Sequence, residues 1–114
     1  MNPVPAAYGA LALAVVTEVT ATSLLLKTEQ FTRPGLTALM ALLYIASFYF
    51  VTLSLRVLPL GVAYAVWAGC GIVLTSLLGV WVLRQPIDTA AVAGISLIVT
   101  GVVVIYAFSK AHAQ

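Results

Sequence analysis

Charge is what this chain has least of. Three acidic and five basic residues make up 7% of its 114 positions, against about a quarter in a soluble domain. Hydrophobic residues fill the gap at 63%, and mean hydropathy is +1.16. A domain of this size leaves much of its surface in contact with solvent, so a soluble monomer is excluded. A disordered chain is excluded too, because disorder needs low hydrophobicity. The basic residues stand singly and the net charge is only +2, which offers no basic stripe to nucleic acid. Cysteine is almost absent: Cys70 alone can make neither an internal disulfide framework nor a cysteine-based zinc cluster. No nucleophile–base pair or ligand cluster is visible, so the sequence predicts no enzyme, no metal and no cofactor. What remains is an integral membrane protein.

The few charges divide the chain into four apolar runs, at about residues 4–26, 36–55, 60–83 and 89–108. Each has the length of about 20 residues with which an α-helix crosses the hydrocarbon core. Barrel strands would be about half as long and strictly alternating. Runs such as Leu39-Met40-Ala41-Leu42-Leu43 are apolar on every side. The predicted fold is therefore all-α: residues 1–114 form one transmembrane domain of four helices. Pro34, Pro59 and Pro86 stand where a new helix begins, the place where proline is tolerated. Asp88 or Thr89 is the expected N-cap of the fourth helix. The first run lacks a basic leader and is expected to be a retained helix. His112 lies in a polar tail and is expected to be solvated.

Loop charges orient membrane helices. With four spans, Arg56 and Lys110 fall on one side, and Lys27, Arg33 and Arg84 on the other. A balance this close is compatible with insertion in both orientations, and equally with a single orientation set by the position of one charge.

Glu18 is the only acidic residue inside any run. A carboxylate at that depth is costly by a few kcal/mol, and no Lys or Arg shares its helix interior. Burial disfavours the charged form, so such a group holds a proton until a cation replaces it. Intramembrane acids are functional by default. Leu11, Ala14, Val15, Ala21, Thr22 and Leu25 share its helical face. Ala14 and Ala21 are small enough either to leave room for a ligand or to let helices approach closely.

Tyr64 and Trp67 stand three apart on one face of the third run, and aromatic faces attract desolvated cations. Interfacial belts also collect such residues, an alternative that suits Tyr64 better than Trp67. Tyr44 in the second run is a further candidate wall. Gly69 and Gly71 flank Cys70 and permit either a kink or close packing. Cys70 itself reads as a small apolar residue. In the fourth run Gly94 and Gly101 lie seven apart beside Leu97, Ile98 and Ile105. That small-residue seam suits contact with a second chain better than packing within one. Trp81, next to the Arg84 turn, reads as an interface anchor.

Taken together, these residues resemble the small multidrug resistance transporters over nearly the whole chain. The marks are Glu18, the loop Glu29-Gln30-Phe31-Thr32-Arg33, Ala46-Ser47-Phe48, the stretch from Pro59 to Trp67, Gly69-Cys70-Gly71-Ile72-Val73-Leu74, and the Gly94–Gly101 spacing. The resemblance implies a proton-coupled antiporter of the inner or plasma membrane that works as an antiparallel homodimer. It implies that Glu18 binds both protons and substrate and that Tyr64, Trp67 and Tyr44 are aromatic binding residues; Ala14 and Thr22, placed on the Glu18 face by helical spacing, are expected to border the substrate. Its partners would then be a second copy, protons, organic cations and membrane lipid. Exporters of guanidinium in the family usually place a Trp three residues after the glutamate. Ala21 stands there, so the expected substrates are lipophilic and quaternary ammonium cations. The alternatives are a guanidinium-type exporter, or a non-transporting membrane subunit such as a scaffold or half of a heteromeric flippase or polyamine exporter.

Overall fold

A computed structural model of the chain describes residues 3–110, and His112 lies outside them. It contains four long helices: α1 (Val4–Leu25), α2 (Pro34–Ser54), α3 (Leu60–Trp81) and α4 (Thr89–Phe108). All four are long and apolar enough to cross a membrane, and among the described residues there is no strand. The chain is a multi-pass membrane protein.

Several helix ends differ from the hydropathy runs, for local reasons. α1 passes into a 3₁₀ turn at Leu26–Thr28. α2 starts at Pro34, two residues before the apolar run, because the fixed φ of proline suits the first helical position. α3 stops at Trp81, two residues before its run ends. There the Leu83 and Gln85 amides fold back to donate to the Leu78 and Gly79 carbonyls, and Arg84 turns left-handed with φ 55°. Asp88 is the N-cap of α4, its Oδ1 accepting from the Ala91 amide at 2.9 Å.

The longest connection is the most constrained. Glu29, Gln30 and Phe31 all have left-handed φ, from 50° to 67°, at roughly 1–2 kcal/mol each for residues with a Cβ. Thr28 offsets this strain. It is fully buried, its hydroxyl accepts from the Phe31 amide, and its carbonyl accepts from the Thr32 and Arg33 amides.

Two sequence stripes explain the packing. Ala7, Ala14, Ala21 and Thr28 recur every seven residues and are buried, with Leu11 between them; Met40, Ser47 and Ser54 recur every seven on α2, with Val51 between them. Alternating steps of three and four keep a narrow seam on one side of a helix. Small residues in the seam let the backbones approach, which is how helices associate where no hydrophobic effect drives them together. The two seams make the α1–α2 hairpin the most extensive interface. α1 also packs on α3, and α3 carries α4, so the helices lie in the order α2–α1–α3–α4 in a slab of 44 × 35 × 18 Å.

α4 buries none of its residues, and α3 is the only helix it packs against. That contact depends on Gly69: a Cβ there would collide with Val102 Cγ2 and lie 3.3 Å from Ile98 Cγ2. Gly69→Val should therefore push α4 away from α3, destabilising the chain by about 1–3 kcal/mol as overpacked sites do. Unfolding by dodecyl sulfate, followed by circular dichroism, measures this; an unchanged midpoint would show that α4 is not held there.

Candidate functional site

Three successive turns on one face of α1 carry its polar anchors. At the first, the Ala14 carbonyl accepts from Ser47 Oγ of α2 at 2.6 Å and from Thr17 Oγ1 at 3.0 Å. Ser47 is fully buried, so this bond ties the two helices together inside the apolar seam. At the third, Thr22 Oγ1 and the Tyr44 hydroxyl lie 2.7 Å apart, a second tie between α1 and α2. Glu18 stands between these ties, its backbone held on both sides.

The Glu18 side chain turns instead to α3. It is half-buried, its Oε2 is closed to solvent, and that oxygen has no hydrogen-bond partner among the described residues. The carboxyl rests on the backbone at Gly71. A Cβ there would collide with Oε2, with Cδ at 3.2 Å and Oε1 at 3.3 Å. Gly71 is thus the one position on this face where the missing side chain makes room for the acid. α3 runs unbroken through Gly69 and Gly71, and each glycine has a packing reason, α4 for one and Glu18 for the other.

One turn before Gly71, on the same stripe of α3, is Trp67. At 1.5 Å per residue this is about 6 Å along the helix axis. Trp67 is only 8% exposed, and its Nε1 is a second buried polar atom without a partner among the described residues. Its ring meets Tyr64 edge to face at 5.6 Å and Phe48 of α2 in the same way at 5.3 Å. Tyr64 is 56% exposed, so the cluster runs from the surface to within a turn of the acid.

Of the residues singled out from sequence, Glu18 reaches Gly71, one turn along α3 from Trp67, and Tyr64 meets Trp67 edge to face. Thr22 and Tyr44 are brought together one turn beyond Glu18. Ala14 is fully buried beneath Ser47. Gly94 and Gly101 are remote from all of these, on open faces where a Cβ would meet nothing within 4 Å. Ser47 and Phe48 were not singled out as site residues; the only signal for them was their place in the Ala46-Ser47-Phe48 stretch. Among the described residues no three His, Cys, Asp or Glu side chains gather to hold a metal ion. An unpartnered carboxylate oxygen against Gly71, one turn along α3 from Trp67, is suited to a proton or to a desolvated organic cation.

Gly71→Ala tests the seat. The carboxyl is the free end of a flexible side chain and can swing aside, so the protein should fold normally. Binding of a lipophilic cation such as tetraphenylphosphonium, the substrate class that the sequence resemblance implies, should then weaken about tenfold, or about 1.4 kcal/mol, in titration calorimetry. Unchanged affinity would mean that the Gly71 seat does not position Glu18.

The family model described as Small Multidrug Resistance protein matches residues 6–98, a span that includes Glu18, Trp67 and Gly71. A multidrug transporter of Pseudomonas aeruginosa is 44% identical over 104 residues, covering 91% of this chain and 94% of its own. Quaternary ammonium compound-resistance protein QacE of Escherichia coli is 44% identical over 105 residues, with the same coverage. Multidrug transporter EmrE of Escherichia coli K12 is 39% identical over 110 residues, or 96% of either chain. Similarity of this extent, along the full length of four membrane-spanning helices, places the protein in a single group: it belongs to the small multidrug resistance family.

Proposed function

We propose that this chain exchanges protons for lipophilic and quaternary ammonium cations across the inner or plasma membrane, and that both compete for Glu18. It moves its substrate without altering it chemically. The observation that carries this reading is the orphaned Glu18 Oε2, buried beside Gly71 within one turn of Trp67. In that setting the ionised carboxyl is unstable without a cation, and the protonated one has no charge to attract it. An empty, ionised site is disfavoured, which couples departure of one ligand to arrival of the other. The relatives' names, multidrug transporter and quaternary ammonium compound-resistance protein, support the substrate class.

The working unit in this reading is an antiparallel homodimer. One slab 18 Å thick is too thin to enclose a cation and two gates. α4 supports the pairing: Ala90, Gly94, Leu97, Gly101, Val104 and Phe108 follow one another at alternating steps of four and three. Leu97, Val104 and Phe108 of that stripe are at least half exposed. Small residues between large ones make a seam for a second helix. The near balance of Arg56 and Lys110 against Lys27, Arg33 and Arg84 supports insertion of the two copies in opposite orientations. Flexing at Gly69 and Gly71 would then open the shared site to each side in turn.

The test is tetraphenylphosphonium binding by calorimetry across pH. The ionised form of Glu18 is the one that binds the cation. Affinity should therefore rise about tenfold per pH unit while the carboxyl is mostly protonated, and level off once it is ionised. Glu18→Gln keeps the shape but cannot ionise; it should fold, lose this pH dependence and fail to drive uptake into proteoliposomes under a proton gradient. Trp67→Ala should keep the pH dependence but weaken binding by on the order of 1–2 kcal/mol through the lost aromatic face. Proton-driven uptake by Glu18→Gln at the parent rate would overturn the proposal.

A further inference from the structure

The groove along α1 and α3 toward α4 carries a separate feature, and its interpretation does not depend on the exchange reading. α1 and α4 both pack on α3 but share no helix interface with each other. Tyr8 of α1 and Tyr106 of α4 meet with their rings edge to face at 5.0 Å. An open trough lies between them, floored by Cys70 and Leu74 of α3 and walled by Ala12 and Val16 of α1, with a volume of about 540 Å³. Past Val16 and Leu74 it continues toward Leu77 and Trp81 for about another 430 Å³. A side bay of about 350 Å³ runs along Val99 and Val103 of α4.

We infer that this trough seats one acyl chain of a membrane phospholipid. Its lining is apolar apart from the two tyrosine hydroxyls at one end and Thr20, whose hydroxyl is already spent on the Val16 carbonyl at 2.8 Å. A polar ligand finds no partner along its length. The stretch of α1 from Tyr8 to Thr20 rises about 18 Å, close to the roughly 15 Å that one leaflet contributes to the hydrocarbon core. Tyr8 near the start of α1 and Tyr106 near the end of α4 mark the same membrane face, and tyrosines favour that interface. Lys110 follows the end of α4, four residues after Tyr106, and is exposed; a cation on this membrane face suits a lipid phosphate.

The geometry also argues against a second copy of the chain as the occupant. With 3.6 residues per turn, Val99 and Val103 each lie about 160° around α4 from Gly101, so a partner on the glycine seam leaves them uncovered. The exposed wall residues Ala12 and Val16 lie about 120° and 160° around α1 from Glu18, while Leu11 and Val15, on the acid's own face, lie packed at the bottom of the trough at 1% and 5% exposed.

The experiment uses the full chain in vesicles of phosphatidylethanolamine and phosphatidylglycerol, with a trace of phosphatidylglycerol bearing a diazirine in its acyl chain. After photolysis, adducts are mapped by mass spectrometry. A seated chain labels Cys70, Leu74 and Val16 several-fold more than Leu42 and Ile45, which are about equally exposed on α2 at 64% and 65%. Val16→Phe, at an exposed wall position that tolerates bulk, removes that excess while labelling on α2 stays the same. Glu18→Gln labels like the parent, so failure of the exchange reading and failure of this one give different results. Even labelling of all exposed positions would mean ordinary surrounding lipid and would overturn the inference. So would an unlabelled trough whose residues crosslink to a second copy.

Discussion

A carboxyl group in hydrocarbon needs a place to rest, and in this protein that place is the bare backbone of α3 at Gly71. Charged groups are expensive at this depth and buried polar atoms without partners are nearly as unwelcome. Glu18 Oε2 is such an atom. Its proximity to α3 requires a residue without a side chain opposite, a close approach of α1 to α3, and an α1 backbone that does not shift. Gly71 meets the first condition and the contact of α1 with α3 the second.

The third condition depends on the α1–α2 hairpin. Ala7, Ala14, Ala21 and Thr28 on one helix, and Met40, Ser47 and Ser54 on the other, form facing stripes of mostly small side chains. The Ser47 hydroxyl bonds the Ala14 carbonyl one turn before Glu18, and Tyr44 meets Thr22 one turn after it. Interhelical hydrogen bonds in membranes contribute about 0.6 kcal/mol each on average, too little to dominate stability but enough to set the register of a backbone. α4 stands apart from this arrangement, packed on α3 at Gly69 and with none of its residues fully buried, which leaves one face for the proposed pairing and another for the proposed lipid chain.

Much of this was legible in the sequence because hydrocarbon imposes simple rules. Four apolar runs predicted four spanning helices, and a lone acid among them marked Glu18. Helix ends were off by two residues where Pro34 starts a helix early and where the chain folds back after Trp81. Gly71 was recognised as a position of either flexing or close packing. That its neighbour is Glu18 follows only from how α1 lies on α3, since the two residues are far apart in the chain. Ala14 could have left room for a ligand or let helices approach closely; it is fully buried where the Ser47 hydroxyl of α2 bonds its carbonyl. Ser47 and Phe48 gave little sign of their roles because a single hydroxyl or ring in an apolar run is ordinary until its partner helix is known. The trough had no sequence signal at all. It exists because α1 and α4 share no helix interface, and no pattern within either one records that.

The central claim is that a single carboxyl serves both ligands in turn. Proton release on cation binding tests it most directly. Protein in weakly buffered detergent is mixed with tetraphenylphosphonium at a series of pH values, and the protons appearing in solution are counted against cation bound. The account predicts release in proportion to bound cation at acidic pH, fading to none once Glu18 is ionised, and no release from Glu18→Gln. Binding of the cation without proton release at any pH would contradict it.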